Sequence, residues 1–289
     1  MICVTGANGQ LGLQIQEHLR KKCYEYISVE RSKLDISNDE EVKDFFKNIN
    51  LTLLINAAAY TDVDKAERNI QEAYLVNEKG VRNLTNICNA KDAPIVHFST
   101  DYVFNGTSTM PYQSEDKTDP INVYGQSKLA GELILKKHAN KFLLVRTSWV
   151  FSEYGKNFFK TILNLAQEKT VLKIVSDQYG NPTYAGDLAE ALVSAIPEIF
   201  SNRNINQIYH YGGDDTCSWY EFANEICAQA VSQKILDQMP NIIPVPASEF
   251  ITDANRPMYS VLDSSNFCSN FNQIKSNWKL AIKKILKDN

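Results

Sequence analysis

Long apolar runs, basic blocks and paired cysteines are all missing from this sequence. Without an apolar stretch near the roughly 20 residues of a membrane span, no transmembrane helix is expected. The chain starts MICVTGANGQLG, where glycines cut the first apolar run short. That is unlike a secretory leader, which needs a basic start and a longer apolar stretch. Its 30 basic and 34 acidic residues are interspersed, for a net charge of −4. Neither nucleic acid nor a membrane surface is therefore expected as a partner. Cysteine is sparse: Cys3, Cys23, Cys88, Cys217, Cys227 and Cys268 stand apart, with no C-x-x-C pair. Such spacing argues against zinc and against a disulfide framework, and for reduced thiols in the cytoplasm. What remains is an ordinary globular composition, 44% hydrophobic and 22% charged over 289 residues. That length suffices for one large α/β domain or two smaller ones.

The first half alternates short apolar runs with helical periods. MICVT has the length of a buried strand, and QLGLQIQEHLR then sets Leu11, Ile15 and Leu19 four apart on one face. YISV is a second strand; SNDEEVKDFFKNI carries Ser37 and Glu40 at capping-box spacing and turns Val42, Phe45, Phe46 and Ile49 inward. TLLINAAA is a third strand, followed by a long helix to about Asn89. PIVHFST, YGQSKLAGELILKK and FLLVRTSWVF continue as strand, helix, strand. This alternation predicts an α/β, Rossmann-type doubly wound parallel sheet with helices on both faces. After Phe151 the rhythm loosens, although Ser218 and Glu221 can cap a helix at WYEFANEICAQA. The expected division is a dinucleotide-binding domain over 1–150, to which the chain returns around 184–212. A smaller C-terminal α/β substrate domain takes 151–183 and 213–289.

GANGQLG places Gly6, Gly9 and Gly12 between the first strand and the first helix. Glycines there permit a tight turn, and the helix N-terminus directs amides and a positive dipole end at a phosphate. The spacing is G-x-x-G-x-x-G rather than G-x-G-x-x-G, but the strand–turn–helix context is that of dinucleotide binding. Where the second strand ends, Glu30 favours the free ribose hydroxyls of NAD, whereas Arg31 suits the extra phosphate of NADP. The two signals oppose each other, so NADPH and NADH both stand as cofactors.

HFSTDYVF ends a strand in Ser99, Thr100, Asp101 and Tyr102. Ligands of open parallel sheets lie beyond such strand ends. Farther on, Tyr124 and Lys128 are four residues apart and so share one helix face. A free phenol, with a pKa of about 10, exchanges protons poorly near neutrality. An ammonium beside it favours the phenolate, and a phenol so tuned can protonate a carbonyl oxygen as hydride reaches the carbon. Alone, such a pair is common on amphipathic helices. The glycine loop before it and the hydroxyl-bearing strand end give it a chemical reading.

Together GANGQLG, STDYVF and YGQSK resemble the extended short-chain dehydrogenase/reductase superfamily. Within it, NAAAYTDVDKAE, VNEKGVRNL, RTSWVF, DQYGNPT, YHYGGDDTCSWYEFA and RPMYSVLDSSNF are most similar to the reductases that complete dTDP-L-rhamnose synthesis. These segments run from Gly6 to Phe267, nearly the whole chain. The resemblance implies reduction of the C4 ketone of dTDP-4-dehydro-L-rhamnose by NADPH or NADH, with Thr100, Tyr124 and Lys128 catalytic. Tyr124 would protonate the ketone oxygen and Thr100 hydrogen-bond it, while Lys128 would lower the phenol pKa and hold the nicotinamide ribose. Gly6, Asn8, Gly9, Gln10 and Leu11 match the pyrophosphate loop, with Gly12 behind it. Asp35 and Ile36 match the adenine contacts, and Ala57, Ala58 and Tyr60 the third-strand end along the cofactor. Thr61, Val63, Asp101, Tyr102 and Trp149 would face the sugar, with Gln178 and Arg256 toward the diphosphate. A guanidinium suits phosphate in any case.

Some members of the family are magnesium-linked dimers that use a glutamate just after the glycine loop, where this chain has Gln14. An amide is a poorer magnesium ligand than a carboxylate, so no structural magnesium is expected. The chain is expected as a monomer or homodimer acting on a small nucleotide sugar. His18, His97, His138 and His210 lack ligand spacing, Trp219 is expected in the core, and Asp214–Thr216 as a helix-entry turn. Two alternatives stay open: a reductase of another nucleotide 4-keto-6-deoxy sugar, and a non-catalytic NADP-binding regulatory subunit of the same fold.

Overall fold

The computed structural model describes residues 1–288. The first half runs β1 (Ile2–Thr5), α1 (Gln10–Lys21), β2 (Tyr26–Val29), α2 (Asp39–Phe46), β3 (Leu53–Asn56), α3 (Val63–Arg68), α4 (Ile70–Tyr74), a π-helical turn (Leu75–Gly80), α5 (Val81–Ala90), β4 (Ile95–Thr100), α6 (Val123–His138) and β5 (Phe142–Thr147). The second half runs β6 (Val150–Phe151), α7 (Phe158–Glu168), β7 (Val171–Val175), β8 (Tyr179–Gly180), β9 (Thr183–Tyr184), α8 (Ala185–Ser194), α9 (Ile196–Phe200), β10 (Gln207–His210), β11 (Cys217–Ser218), α10 (Trp219–Ser232), β12 (Asn241–Val245), α11 (Ser265–Phe271) and α12 (Trp278–Asp288).

Six parallel strands form the central sheet, in the order β10-β5-β4-β3-β1-β2. Successive strand residues point to opposite faces. Ile2, Val4, Leu53, Ile55, Val96 and Val145 therefore pack with α1 and α8 on one side. Cys3, Leu54, Ile95 and Leu144 pack with α2, α5 and α6 on the other. Burial on both faces is why these strands read as unbroken apolar runs. A separate cluster gathers Phe151, Phe159, Phe222, Ile226, Trp278 and Ile282 from β6, α7, α10 and α12. Phe267 and Phe271 of α11 pack instead with the sheet's first face.

Two local expectations are corrected. The cap of α2 is Asn38, not Ser37: Asn38 Oδ1 accepts from the Glu40 and Glu41 amides, while Ser37 donates to Asp35. The long helix before Asn89 is broken at Asn69 and again at the π turn. An extra residue in that turn rotates Asn77 inward. Its side chain accepts from the Tyr60 amide at 2.9 Å and donates to Ser127 of α6 at 2.9 Å, joining the end of β3 to the helix bearing Tyr124. The capping box at Ser218 and Glu221 is present as expected.

Glycine is demanded where α1 meets β1. Gly6 has φ +71°, and a Cβ at Gly12 would lie 2.2 Å from the Gly6 carbonyl oxygen. Gly12→Ala must push the helix off the strand. A loss of about 1–3 kcal/mol is expected, visible as a lowered urea midpoint.

Candidate active site

The C-terminal ends of β1, β3, β4 and β5 open into a cavity of about 870 Å³. Gly6, Asn8, Gly9, Gln10 and Leu11 form its wall at the first turn. Asp35 and Ile36 lie in it with Arg31, as do Ala57, Ala58 and Tyr60. Gly12 stands behind, inside α1. Thr100, Tyr124, Lys128, Asp101, Tyr102 and Trp149 surround the inner end, with Thr61 and Val63 beside them. A second cavity of about 1020 Å³ shares Thr61, Val63, Tyr102 and Trp219 with the first, and holds Gln178 and Arg256. Every candidate side chain but that at Gly12 therefore lines one of two cavities that meet at Tyr102 and Trp219.

Helix α6 presents Tyr124 in its first turn because its start is held on three sides. Asn122 caps the Gly125 amide at 2.8 Å and donates to the Asn255 carbonyl, and Glu67 accepts from the Val123 amide. Thr100, ending β4, donates to Asp101 Oδ1 at 3.0 Å and lies within hydrogen-bond reach of the Tyr124 phenol. Burial pushes Asp101 up to about 7, although hydrogen bonds from Ser260 and Thr100 pull the other way. Burial likewise pushes Tyr124 up to about 12, with Asp101 adding to the rise and Thr100 opposing it. Lys128 was expected to lower that phenol, which instead stands above its ordinary value. The lysine is buried, brought down to about 8 by desolvation, and its Nζ donates to the Phe98 carbonyl at 2.7 Å.

The cofactor-choice residues are both committed. Glu30 accepts from Asn8 of the glycine loop, and exposed Arg31 pairs with Glu72 at 3.4 Å. Arg256 is held by both oxygens of Asp64, at 3.2 and 2.7 Å. Trp219 packs against the core cluster of α7, α10 and α12 and also lines both cavities. Its ring stacks on Trp149 at 3.4 Å and 6°, and Trp149 itself has a φ of +45°. Sequence reasoning also missed Asp64 and Lys156, and assigned no role to the buried hydroxyls of Ser99, which it placed at a strand end, and Thr147. The last two face the first cavity and lack a hydrogen-bond partner among the described residues. Only their places at strand ends could have flagged Ser99 and Thr147; no local signal marks Asp64 or Lys156. Gln14 donates to Glu153 at 2.9 Å and to Tyr184 at 3.2 Å.

A parallel sheet with a glycine turn after β1, a hydroxyl at the end of β4 and a Tyr-x-x-x-Lys helix next to it defines the extended short-chain dehydrogenase/reductase class. The family model described as the RmlD substrate binding domain matches residues 1–289, and the chain belongs to that family. It is 39% identical to the dTDP-4-dehydrorhamnose reductase of Aggregatibacter actinomycetemcomitans, over 98% of this chain and 97% of that protein. It is 37% identical to the enzyme of the same name from Salmonella typhimurium, over 99% and 96%. The crystal structure of dTDP-4-dehydrorhamnose reductase from Bacillus anthracis in complex with NADP superimposes with a TM-score of 0.90 at 36% identity, covering 100% of this chain and 99% of that one.

Proposed function

We propose that this protein reduces the C4 ketone of dTDP-4-dehydro-L-rhamnose to give dTDP-L-rhamnose, with NADPH or NADH as cofactor. The observation that carries this reading is the convergence of Thr100, Tyr124 and Lys128 at the inner end of the first cavity. From there one cavity leads to the glycine turn and the other to Arg256. Close relatives named for that reaction support it.

The residues present fit a nicotinamide dinucleotide. Gly6 and Gly12 let the turn, α1 and the end of β3 approach backbone to backbone, and Ser99 and Thr147 keep unpaired hydroxyls at the inner end. Gly9, Asn8, Gln10 and Leu11 would hold the pyrophosphate at the N-terminus of α1, with Asp35 and Ile36 at the adenine. Arg31 would meet a 2′-phosphate, Ala57, Ala58 and Tyr60 would flank the cofactor, and Lys128 would hold ribose hydroxyls. When bound, the reduced nicotinamide supplies the hydride.

The chain's own residues do the rest. Tyr124 holds the proton that the ketone oxygen receives, and Thr100 orients that oxygen by a hydrogen bond. Lys128, once charged, stabilises the phenolate left behind. Thr61, Val63, Asp101, Tyr102 and Trp149 would enclose the sugar, and Gln178 and Arg256 would take the diphosphate. Remote binding of the nucleotide then orients the ketone at the reacting centre. Residues 1–150 and 184–212 are assigned to the cofactor unit, and 151–183 with 213–289 to the nucleotide-sugar unit. All six cysteines are free, which supports a reducing compartment, the cytoplasm.

The test is loss of NADPH absorbance on addition of dTDP-4-dehydro-L-rhamnose, repeated with NADH. Turnover that requires this sugar supports the assignment. NADPH binding without turnover would replace it with the regulatory-subunit reading, and faster turnover of another nucleotide 4-keto-6-deoxy sugar would move the substrate.

A further inference from the structure

Behind Lys128, inside the sheet, runs a chain of buried polar groups that the reduction chemistry does not use. Thr5 of β1 donates to Asn56 Oδ1 at 2.7 Å, and the Ala58 backbone amide donates to the same oxygen at 3.1 Å. A backbone N–H can only donate, so that atom of Asn56 is the oxygen, and its amide nitrogen faces His97 Nδ1 at 3.0 Å. The amide nitrogen likewise can only donate, so Nδ1 of His97 must accept. Burial and neighbouring Lys128 hold His97 well below the usual imidazole range, so the ring is neutral and carries a single proton. That proton is therefore on Nε2, which points at Lys128 Nζ from 3.4 Å.

The consequence falls on Lys128. Its nitrogen gives one N–H to the Phe98 carbonyl and meets a donor at His97. A neutral amine fits this surrounding, with its lone pair turned to His97 Nε2–H. An ammonium fits it less well, because two donors then face each other in a buried place. Asp101 and Tyr124 share the cavity wall with Lys128. Glu132, on the same helix, favours the charged form but is itself occupied by Arg146 at 2.7 Å. Acceptors delivered by a bound cofactor, its ribose hydroxyls above all, would tip the balance to the ammonium that the reaction needs.

We propose that His97 is a positioning residue that biases Lys128 toward the neutral amine, so that in alkaline solution binding of the reduced dinucleotide draws a proton onto that side chain. This rests on the reductase reading of the site. Dinucleotide affinity should then be level below the pKa of the unliganded lysine, which desolvation brings down to about 8, and fall above it. With the bound lysine titrating well above the window, the wild-type affinity for NADPH should drop about 25-fold between about pH 7.5 and about pH 9.5, proton uptake per cofactor bound rising from about a quarter to nearly one. That window lies above Asp101, at about 7, and below Tyr124, at about 12.

The experiment is NADPH titration by fluorescence at both ends of that window, with calorimetry in buffers of different ionisation enthalpy to count protons. In His97→Gln the carboxamide can turn its oxygen to Lys128, and a rise of about one unit in the unliganded pKa would shrink the drop to about fourfold. Asn56→Asp tests the wiring separately: a carboxylate accepts where the amide donated, moves the imidazole proton to Nδ1, and should flatten the profile likewise. A purely structural His97 would weaken binding equally at both pH values, leaving the slope unchanged in His97→Gln, and that overturns the proposal. So does a wild-type affinity that changes less than about threefold. Failure of NADPH to bind at any pH would instead overturn the reductase reading on which the proposal stands.

Discussion

Tyr124→Phe should lower kcat by roughly 10²- to 10⁴-fold while leaving the NADPH dissociation constant within a few-fold of wild type. The substitution removes one oxygen. Phenylalanine keeps the ring's edge-to-face contact with Tyr102, whose centroid lies 6.0 Å away at 76°. The start of α6 is fixed by Asn122 and Glu67, so the backbone has no reason to move. What disappears is the proton that the ketone oxygen would receive and the partner of Thr100. Steady-state rates with dTDP-4-dehydro-L-rhamnose, set against NADPH fluorescence titration, separate chemistry from binding. Retention of more than about a tenth of the rate would exclude Tyr124 as the proton donor. Asp101 would be the next group to remove, because it is buried beside Thr100 and its carboxyl sits at about 7.

Features set by neighbours in sequence were legible before any coordinates. Strands buried on both faces appear as apolar runs, and a glycine turn between strand and helix marks a phosphate site whatever packs around it. The Ser218–Glu221 box is likewise a contact across three residues. Where a neighbouring residue type competes, sequence reading slips: Ser37 and Asn38 both suit a cap, and Asp35 takes Ser37 for its own turn. The π turn was invisible because its cause is tertiary, the bond between Asn77 and Ser127 fifty positions on. The same holds for the site. Tyr124 and Lys128 announce themselves by spacing, but Asp64 meets Arg256 across 192 positions, and Trp219 of α10 meets Trp149 from the bend between β5 and β6. His97 looked ordinary because nothing local tells whether an imidazole inside a strand faces leucine or lysine.

The helix that bears Tyr124 and Lys128 is pinned to the sheet farther along by a buried ion pair, and removing half of it should be the most destabilising single change in the fold. Arg146 of β5 donates through Nε and Nη2 to both oxygens of Glu132 on α6, at 2.9 and 2.7 Å. Arg146 is 2% exposed and Glu132 1%, so water screens neither. The remaining donors are used as well: Nη1 reaches the Ser114 carbonyl at 3.2 Å and lies 3.4 Å from Nε2 of His210, and the guanidinium stands 5.1 Å from the Phe104 ring centroid. His210 can accept there because its Nδ1 faces the Tyr112 carbonyl at 2.9 Å, and burial with Arg146 beside it brings the ring down to about 3. Arg146→Met keeps the volume and strands Glu132 without a counter-charge. A loss of about 3–5 kcal/mol is expected in urea unfolding followed by tryptophan fluorescence. The double variant Arg146→Met/Glu132→Leu should recover most of that loss, because an apolar pair of similar volume needs no desolvation of charge. If the double variant is as unstable as Arg146→Met alone, the contribution lies in the bonds to Ser114 and His210 rather than in the pair. In that case the link that matters runs from β5 to the 105–116 segment, and α6 is held to the sheet by packing and by the Lys128 bond to the Phe98 carbonyl.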